Sequence, residues 1–487
     1  MADPLAGLQP RSVWSYFASM AAIPRPSKHE EKIAAWVRSV AAEHGWEVRS
    51  DGVGNLVLAV PARPGHEEAP IVILQAHLDM VCEKNKDVEH DFMNDPIRPR
   101  IVDDWVYATG TTLGADNGIG VAAALGAATD PEVTHGPLEL LFTLDEETGL
   151  TGAQGLDASM LRGRIMINLD SEEDGILFVG CAGGADCHLY VEPTRSQPLA
   201  GSRAFRLEVQ GLRGGHSGLN IHENRGNAVK LLNRLLAAAI EADVPFGLVS
   251  LAGGSKHNAI PREAEAVLHL ADGAKEKLEG VLACMLEAFR HELKGIDEGL
   301  EIRLLPTSSD GRVMQDADRD RLVNLLAVLP HGVLGMSPDI PGLVETSNNL
   351  AVVEAQNGRV KMITSSRSSV MPTQAAVLRS IRSAGVLAGA EVEVHDGYPG
   401  WKPDMSSRAL AVAREVYTEL WGAEPEVTAV HAGLECGLLG EKIPGLDMIS
   451  FGPQIEGAHS PDERVHIPSV ERFWNALAKV LRELATA

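Results

Sequence analysis

The chain alternates short, mostly apolar runs with longer segments in which apolar residues recur every three to four positions. Helical periodicity begins around Val13 and returns between Glu30 and His44, where Ile33, Ala34, Val37, Val40 and Ala41 share one face. A strand follows from Asn55 to Val60. Pro70-Ile-Val-Ile-Leu-Gln-Ala is bounded by proline and short enough for a strand buried on both faces, and it stops on His77-Leu-Asp79. Two further runs behave alike. Leu138 to Leu144 stops on Asp145-Glu146-Glu147, and Ile165 to Leu169 stops on Asp170. Between the first two, Leu113-Gly-Ala-Asp116-Asn-Gly opens a helix of small residues. This alternation predicts an α/β layer with a mainly parallel sheet and helices on both faces, an architecture that places ligands at the carboxyl ends of its strands.

From residue 185 to 399 the pattern changes. Phe205 to Gly211 alternates apolar and polar residues as a strand with one wet face does. A glycine-rich loop, 211–220, carries His216. Helices are predicted over 227–242 and 275–293, with strands at 248–251, 263–270 and 300–305. A similar set follows, with a helix over 318–329, strands at 347–355 and 359–366, a helix over 373–388 and a strand at 391–395. The two sets share a pattern and not a sequence, which predicts an inserted α+β lid built of two similar units in tandem over one continuous sheet. After Trp401 the first style returns, with a helix over 408–420, a strand at 426–430 and a closing helix from Val470. The expected organisation is a discontinuous catalytic domain, 1–184 and 400–487, and an inserted lid, 185–399.

At 487 residues the chain exceeds what a single hydrophobic core supports. Acids outnumber bases 67 to 43, a formal charge of −24 with no run of five or more Lys or Arg, which argues against nucleic-acid and membrane-surface partners. No apolar stretch reaches the ~18 residues of a membrane span. The first residues carry no basic segment ahead of an apolar run, so no secretory signal is expected and the expected location is cytoplasmic. Cys82, Cys181, Cys187, Cys284 and Cys436 are dispersed without a C-x-x-C pair, against a disulfide framework or a Cys-ligated zinc.

Candidate chemistry lies where the apolar strands stop. His77, Asp116, Glu147, Asp170 and His459 are imidazole and carboxylate groups at strand ends or loops, a donor set that suits zinc, with cobalt or manganese as alternatives. Two His and three carboxylates exceed the needs of one tetrahedral zinc and fit two metals ~3.5–4 Å apart sharing a carboxylate and a water. Asp79, two residues past His77 on the same side of an extended chain, is placed to orient that imidazole. Glu146 points differently from Glu147 and suits proton transfer from the shared water. Singly, each motif has an ordinary reading: Asp145-Glu146-Glu147 is a solvated turn, and Gly114-Ala-Asp-Asn-Gly118 a common loop. Their joint occurrence at successive strand ends favours a site.

Ala76-His-Leu-Asp-Met80, Gly114-Ala-Asp-Asn-Gly118, Glu146-Glu147, Asp170, Gly214-Gly-His-Ser-Gly218 and Ala458-His-Ser-Pro-Asp-Glu463 resemble the M20 family of dinuclear zinc peptidases and deacylases. The cytosolic Xaa-His, or β-alanyl-histidine, dipeptidase branch is the most similar. Supporting stretches include Cys82-Glu-Lys-Asn85, Gly180-Cys-Ala-Gly-Gly184, His257-Asn-Ala-Ile-Pro-Arg262, Gly397-Tyr-Pro-Gly-Trp401 and His431-Ala-Gly-Leu-Glu-Cys-Gly437, so the resemblance spans nearly the whole chain. It implies that His77 and Asp170 hold one zinc, Glu147 and His459 the other, and that Asp116 bridges them. Asp170 is chosen over the acids that follow it because it directly ends the apolar strand. The resemblance further implies Asp79 as the group orienting His77, Glu146 as general base, His216 as a donor to the developing oxyanion, and Asn258 and Arg367 as substrate contacts. A dipeptide is the implied substrate, and pairing of two chains through the lid is a possible assembly. Two other readings remain open: an N-acyl amino acid deacylase with the same metals and base, and a binding protein of this fold without activity.

Overall fold

Strands Val72–His77 and Leu138–Thr143 are buried at every position, and so is Ile165–Asn168, which explains why none of them alternates polar with apolar residues. The computed structural model describes residues 4–486 other than 199, 310, 357 and 396. Among these the chain divides into two units. The first comprises Met1–Cys181, Trp401–Ala429 and Leu434–Ala487; the second comprises Ala182–Gly400 and Val430–Gly433.

The first unit is built on an eight-stranded sheet in the order Glu47–Ser50, Leu56–Val60, Leu138–Thr143, Val72–His77, Ile165–Asn168, Asp447–Ser450, Ile176–Cys181 and Glu426–Val430. Its centre is parallel. Antiparallel pairings flank that centre, a detail that the strand–helix alternation alone does not convey. Parallel pairing matters for the site, because it brings the carboxyl ends of neighbouring strands to one edge. His77 pairs with Thr143 and Gln75 with Asn168, so the residues just beyond, Asp79, Glu146 and Asp170, emerge together.

The helix Ala115–Thr129 is buried at every residue from Asn117 to Ala128, a consequence of its small and apolar side chains. Gly120 shows how close it lies to the sheet: a Cβ there would stand 2.4 Å from Asn117 Oδ1 and 2.6 Å from the Leu169 carbonyl. Several short strands escaped the periodicity reading, including Ile176–Cys181, Asp447–Ser450 and the pair Pro99–Val102 and Trp105–Ala108. Segments of four to six residues draw their stability from the strands beside them and leave little periodic signal.

The second unit holds a nine-stranded sheet. Eight strands run in the order Glu301–Pro306, Arg203–Gln210, Ala264–Leu270, Phe246–Gly253, Val344–Gln356, Arg359–Ser368, Gly183–Val191 and Glu391–Val394, with Gly332–Met336 paired to Val344–Gln356. Helices Ala228–Glu241, Ala274–Glu292, Asp316–Val328 and Met371–Leu387 contribute to one continuous core with it, in which Leu232, Leu235, Leu326 and Ile381 are fully buried. The two similar halves share a sheet, as expected, yet they are nested and not in tandem. Gly183–Val191 precedes the first half in sequence but sits within the second half of the sheet, between Arg359–Ser368 and Glu391–Val394. Strands consecutive in sequence usually neighbour one another, and this strand is an exception in which a free edge takes a partner from earlier in the chain.

Leu140, at the centre of the parallel strands, is 0% exposed. Leu140→Ala is expected to lower the unfolding free energy by about 2–5 kcal/mol, read as a shift of the denaturant midpoint. A change under about 0.5 kcal/mol, the surface range, would contradict the packing described.

Candidate metal centre

The turn after Leu138–Thr143 carries Glu146 and Glu147, and an oxygen of each lies within 4.8 Å of the other and of a His77 nitrogen. Asp145 occupies the left-handed region there (φ 50°), and its carboxylate accepts from the hydroxyls of Thr148 and Thr151. The short helix Glu146–Gly149 starts against Asp79, whose Oδ1 accepts the Glu146 N–H at 3.1 Å and whose Oδ2 accepts the Glu147 N–H at 3.3 Å. Asp79 also accepts from Ser27 Oγ at 2.8 Å and lies 3.3 Å from His77 Nδ1. Burial opposes its charge, but His77, Ser27 and the Glu146 N–H outweigh burial and hold the carboxyl down at about 2. One permanently ionised group therefore fixes both an imidazole and the start of the Glu146-Glu147 turn.

The five strand-end and loop residues converge as two groupings that share Asp116. In one, donor atoms of His77, Asp116 and Asp170 lie within 4.8 Å of one another; in the other, those of Asp116, Glu147 and His459 do. Asp116 Oδ1 is 3.0 Å from His77 Nε2, while Oδ2 is 3.2 Å from His459 Nε2. His77 Nε2 is 3.3 Å from Asp170 Oδ1, and His459 Nε2 is 3.0 Å from Glu147 Oε2. The two oxygens of one carboxylate thus face two separate imidazole–carboxylate pairs.

The donor chemistry fits divalent metal. Glu147 Oε1 and Asp170 Oδ1 are buried acceptors with no hydrogen-bond donor. A buried acceptor left bare is costly, and a cation removes the cost. The electrostatics agree. Contacts with Asp116 and Glu147 lift the His459 imidazole to about 11. Burial works against protonation of His77, but Asp170, Asp116 and Asp79 together raise it well above its ordinary value. Burial pushes Asp170 up to about 6 against the opposing pull of His77, and it raises Glu147 against that of His459. A field that favours protons on both imidazoles and both carboxylates is the field that favours a dication. Glu146 is also raised well above the carboxylate range, by burial first and then by the opposed influences of His77 and the nearby Asp170, Glu435 and Glu147.

Residues that the sequence did not assign hold the Asp116 loop. The Glu463 carboxylate accepts four backbone N–H groups, from Leu113 (2.7 Å), Gly114 (2.9 Å), Ala115 (2.7 Å) and Asp116 (3.3 Å). Glu463 follows His459 by four residues, so this contact ties the loop bearing one imidazole to the loop bearing the shared carboxylate. From the other side, buried Arg25 donates to the carbonyls of Leu78 (3.0 Å), Asp79 (2.7 Å) and Gly114 (2.5 Å). Gly114 has φ +69°, and a Cβ there would meet Arg25 Nη2 at 2.5 Å, so only glycine fits. His459 itself is left-handed (φ 63°), a conformation that non-glycine residues adopt at an energetic cost.

Beneath the strand ends runs a buried polar belt. Gln75 Nε2 and Thr143 Oγ1 each donate to Glu435 Oε2 at 2.6 Å. Asn168 Nδ2 donates to Gln75 Oε1, and Ser450 Oγ to Asn168 Oδ1, both at 2.5 Å. The belt joins four adjacent strands just below His77 and Asp170. Glu435 is 0% exposed, and its carboxyl is pushed up to about 7 by burial. Glu463, Glu435, Tyr398 and His431 fall inside the recognised motifs, and Arg25 between two prolines, but nothing in residue type or spacing marked their roles.

His216, Asn258 and Arg367 belong to the second unit. His216 Nδ1 accepts the N–H groups of Gly218 (3.3 Å) and Leu219 (3.1 Å), which leaves the ring proton on Nε2. Burial, then Arg367 and His257, lowers its pKa, so the ring is neutral. The Asn258 carbonyl accepts from the Ser217 N–H at 2.9 Å, next to His216. Arg367 is 7% exposed and donates from Nη1 to Tyr398 Oη at 3.1 Å, while its Nε is buried without an acceptor. His431, 2.7 Å from Ser347 Oγ, is held neutral at about 3 by burial and by Arg367.

The profile of peptidase family M20/M25/M40 matches residues 73–483, and the chain belongs to that family. Over 480 residues, 99% of either chain, it is 43% identical to a cytosol non-specific dipeptidase of Escherichia coli. The crystal structure of an aminoacylhistidine dipeptidase from Vibrio alginolyticus matches with a TM-score of 0.94 at 43% identity, covering 98% of each chain. An acetylornithine deacetylase of Myxococcus xanthus is 28% identical over 250 residues, 48% of this chain.

Glu463→Gln keeps the shape but removes the charge that gathers four N–H groups. The expected result is a 10- to 100-fold weaker affinity for zinc, the usual cost of losing such supporting contacts, measured by competition with a chelating dye. Unchanged affinity would show that the Asp116 loop holds its shape without this carboxylate.

Proposed function

We propose that the chain is a dinuclear zinc dipeptidase that cleaves Xaa-His dipeptides such as β-alanyl-histidine, together with other dipeptides. The observation that carries this reading is the division of Asp116 between two imidazole–carboxylate pairs. Full-length identity of 43% to one relative named a dipeptidase and to another named an aminoacylhistidine dipeptidase supports the substrate class. His77 and Asp170 would hold one zinc and Glu147 and His459 the other, with Asp116 between them; cobalt or manganese would suit the same donors. Bound zinc supplies two things here, a water acidic enough to ionise near neutral pH and polarisation of the scissile carbonyl. The named relative's cytosolic designation supports a cytoplasmic setting, and no helix among the described residues is long and apolar enough to cross a membrane.

The chain's own residues do the rest. Glu146, with its proton affinity raised by burial, takes a proton from the attacking water and returns it to the leaving amine. Asp79 keeps the His77 ring oriented and anchors the backbone of Glu146. For the second unit we propose the roles implied by the family resemblance. His216 offers its Nε2–H to the developing oxyanion, as its tautomer suits. Arg367, held by Tyr398, presents a planar fork to the substrate carboxylate, and Asn258 adds a polar contact.

Glu146→Gln tests the base. Turnover of β-alanyl-histidine is expected to fall by ~10²–10⁴ or more with zinc content unchanged, since the carboxylate moves a proton and binds no metal. Full activity in the variant would remove Glu146 from the mechanism. Offering N-acetyl amino acids alongside the dipeptide separates the two M20 chemistries, and faster cleavage of the acyl substrate would replace the dipeptidase reading with a deacylase.

A further inference from the structure

Every free dipeptide carries an ammonium at its N-terminus, and none of the roles above receives it. This inference rests on the dipeptidase reading. Chemistry fixes the position of that ammonium: a single carbon separates it from the scissile carbonyl in an α-dipeptide, and two in a β-alanyl one. It must therefore stand beside the reacting carbonyl and beside the metal-binding groups. Held next to dications without a counter-charge it would be repelled, so a carboxylate is needed just outside the set that binds metal.

Glu172 meets that description. Just beyond Ile165–Asn168, buried Ser171 turns inward, its Oγ 2.6 Å from Ser450 Oγ, while half-buried Glu172 lies in the electrostatic field of Asp170, two residues before it. The Glu172 carbonyl accepts the Ile455 N–H at 2.9 Å, which fixes the backbone in place. Its half-buried carboxylate lies within the electrostatic reach of Asp116, Asp170 and His459, yet it is in none of the groupings whose donor atoms lie within 4.8 Å of one another. Each of the other carboxylates facing this centre has an occupation. Asp116, Glu147 and Asp170 face the imidazoles, Glu146 is the proposed base, Asp79 holds His77 and two backbone N–H groups, Glu435 holds Gln75 and Thr143, and Glu463 holds four N–H groups. Among the described residues the Glu172 carboxylate accepts no hydrogen bond and forms no ion pair.

We propose that Glu172 binds the N-terminal ammonium of the substrate and thereby selects free dipeptides over N-acylated ones. An acyl group in the same place leaves the carboxylate partly desolvated against an uncharged neighbour, which penalises the wrong substrate as well as rewarding the right one.

The test compares alanyl-histidine with propionyl-histidine, the same skeleton without the amine. Glu172→Gln is expected to lower kcat/KM for alanyl-histidine by about 10- to 100-fold, the range of one charge-assisted contact, and to leave propionyl-histidine unchanged. In a Glu146→Gln background, calorimetry should show a comparable loss of alanyl-histidine affinity with zinc content unaltered. Glu172→Asp should keep part of the preference, and Glu173→Gln, at the exposed neighbouring position, all of it. Equal losses on both substrates, no loss on either, or fewer zinc ions in Glu172→Gln would overturn the assignment, the last by making Glu172 a ligand. If wild type cleaves N-acyl amino acids in preference to dipeptides, the underlying dipeptidase reading fails instead.

Discussion

One carboxylate shared between two imidazoles is the constraint around which the rest of the first unit is arranged. Asp116 places an oxygen about as close to His77 as to His459, and each imidazole has a second carboxylate beside it. So many like charges in a buried place are unstable unless cations join them. The two divalent ions proposed above would resolve that conflict, and the bare buried oxygens of Glu147 and Asp170 mark where they would be felt.

Holding the shared carboxylate is the work of its surroundings. Glu463 gathers the N–H groups of the Asp116 loop, Arg25 gathers the carbonyls around it, and Gly114 gives both room to approach. Asp79 performs the matching task for His77 and the Glu146-Glu147 turn. Below them the belt from Thr143 and Glu435 through Gln75 and Asn168 to Ser450 links four adjacent strands. Buried polar networks of this kind are costly when incomplete and rigid when satisfied, which suits groups that must be fixed before substrate arrives.

Much of the centre was legible in the sequence because strands in a parallel sheet end at one edge. Three apolar runs stopping on His77-Leu-Asp79, Glu146-Glu147 and Asp170 are informative for that reason alone. His459 was a candidate by residue type alone, and only the resemblance paired it with Glu147, since it lies far along the chain in a loop with no periodic signal. Glu463, Arg25 and Glu435 were not assigned, because their importance comes from backbone N–H and carbonyl groups that have no sequence signature. Most strands and helices of the second unit were legible by period, but Gly183–Val191 and Gly332–Met336 were not, nor was the nesting. Gly183–Val191 joins the far half of its sheet through edge pairing, which local pattern cannot express.

The account depends most on two cations meeting at Asp116, and anomalous X-ray diffraction at the zinc edge from crystals of the purified protein tests it directly. The predicted map has two zinc peaks in contact with Asp116, one also touching His77 and Asp170 and the other Glu147 and His459. A single peak, or peaks that leave Asp116 untouched, would contradict it.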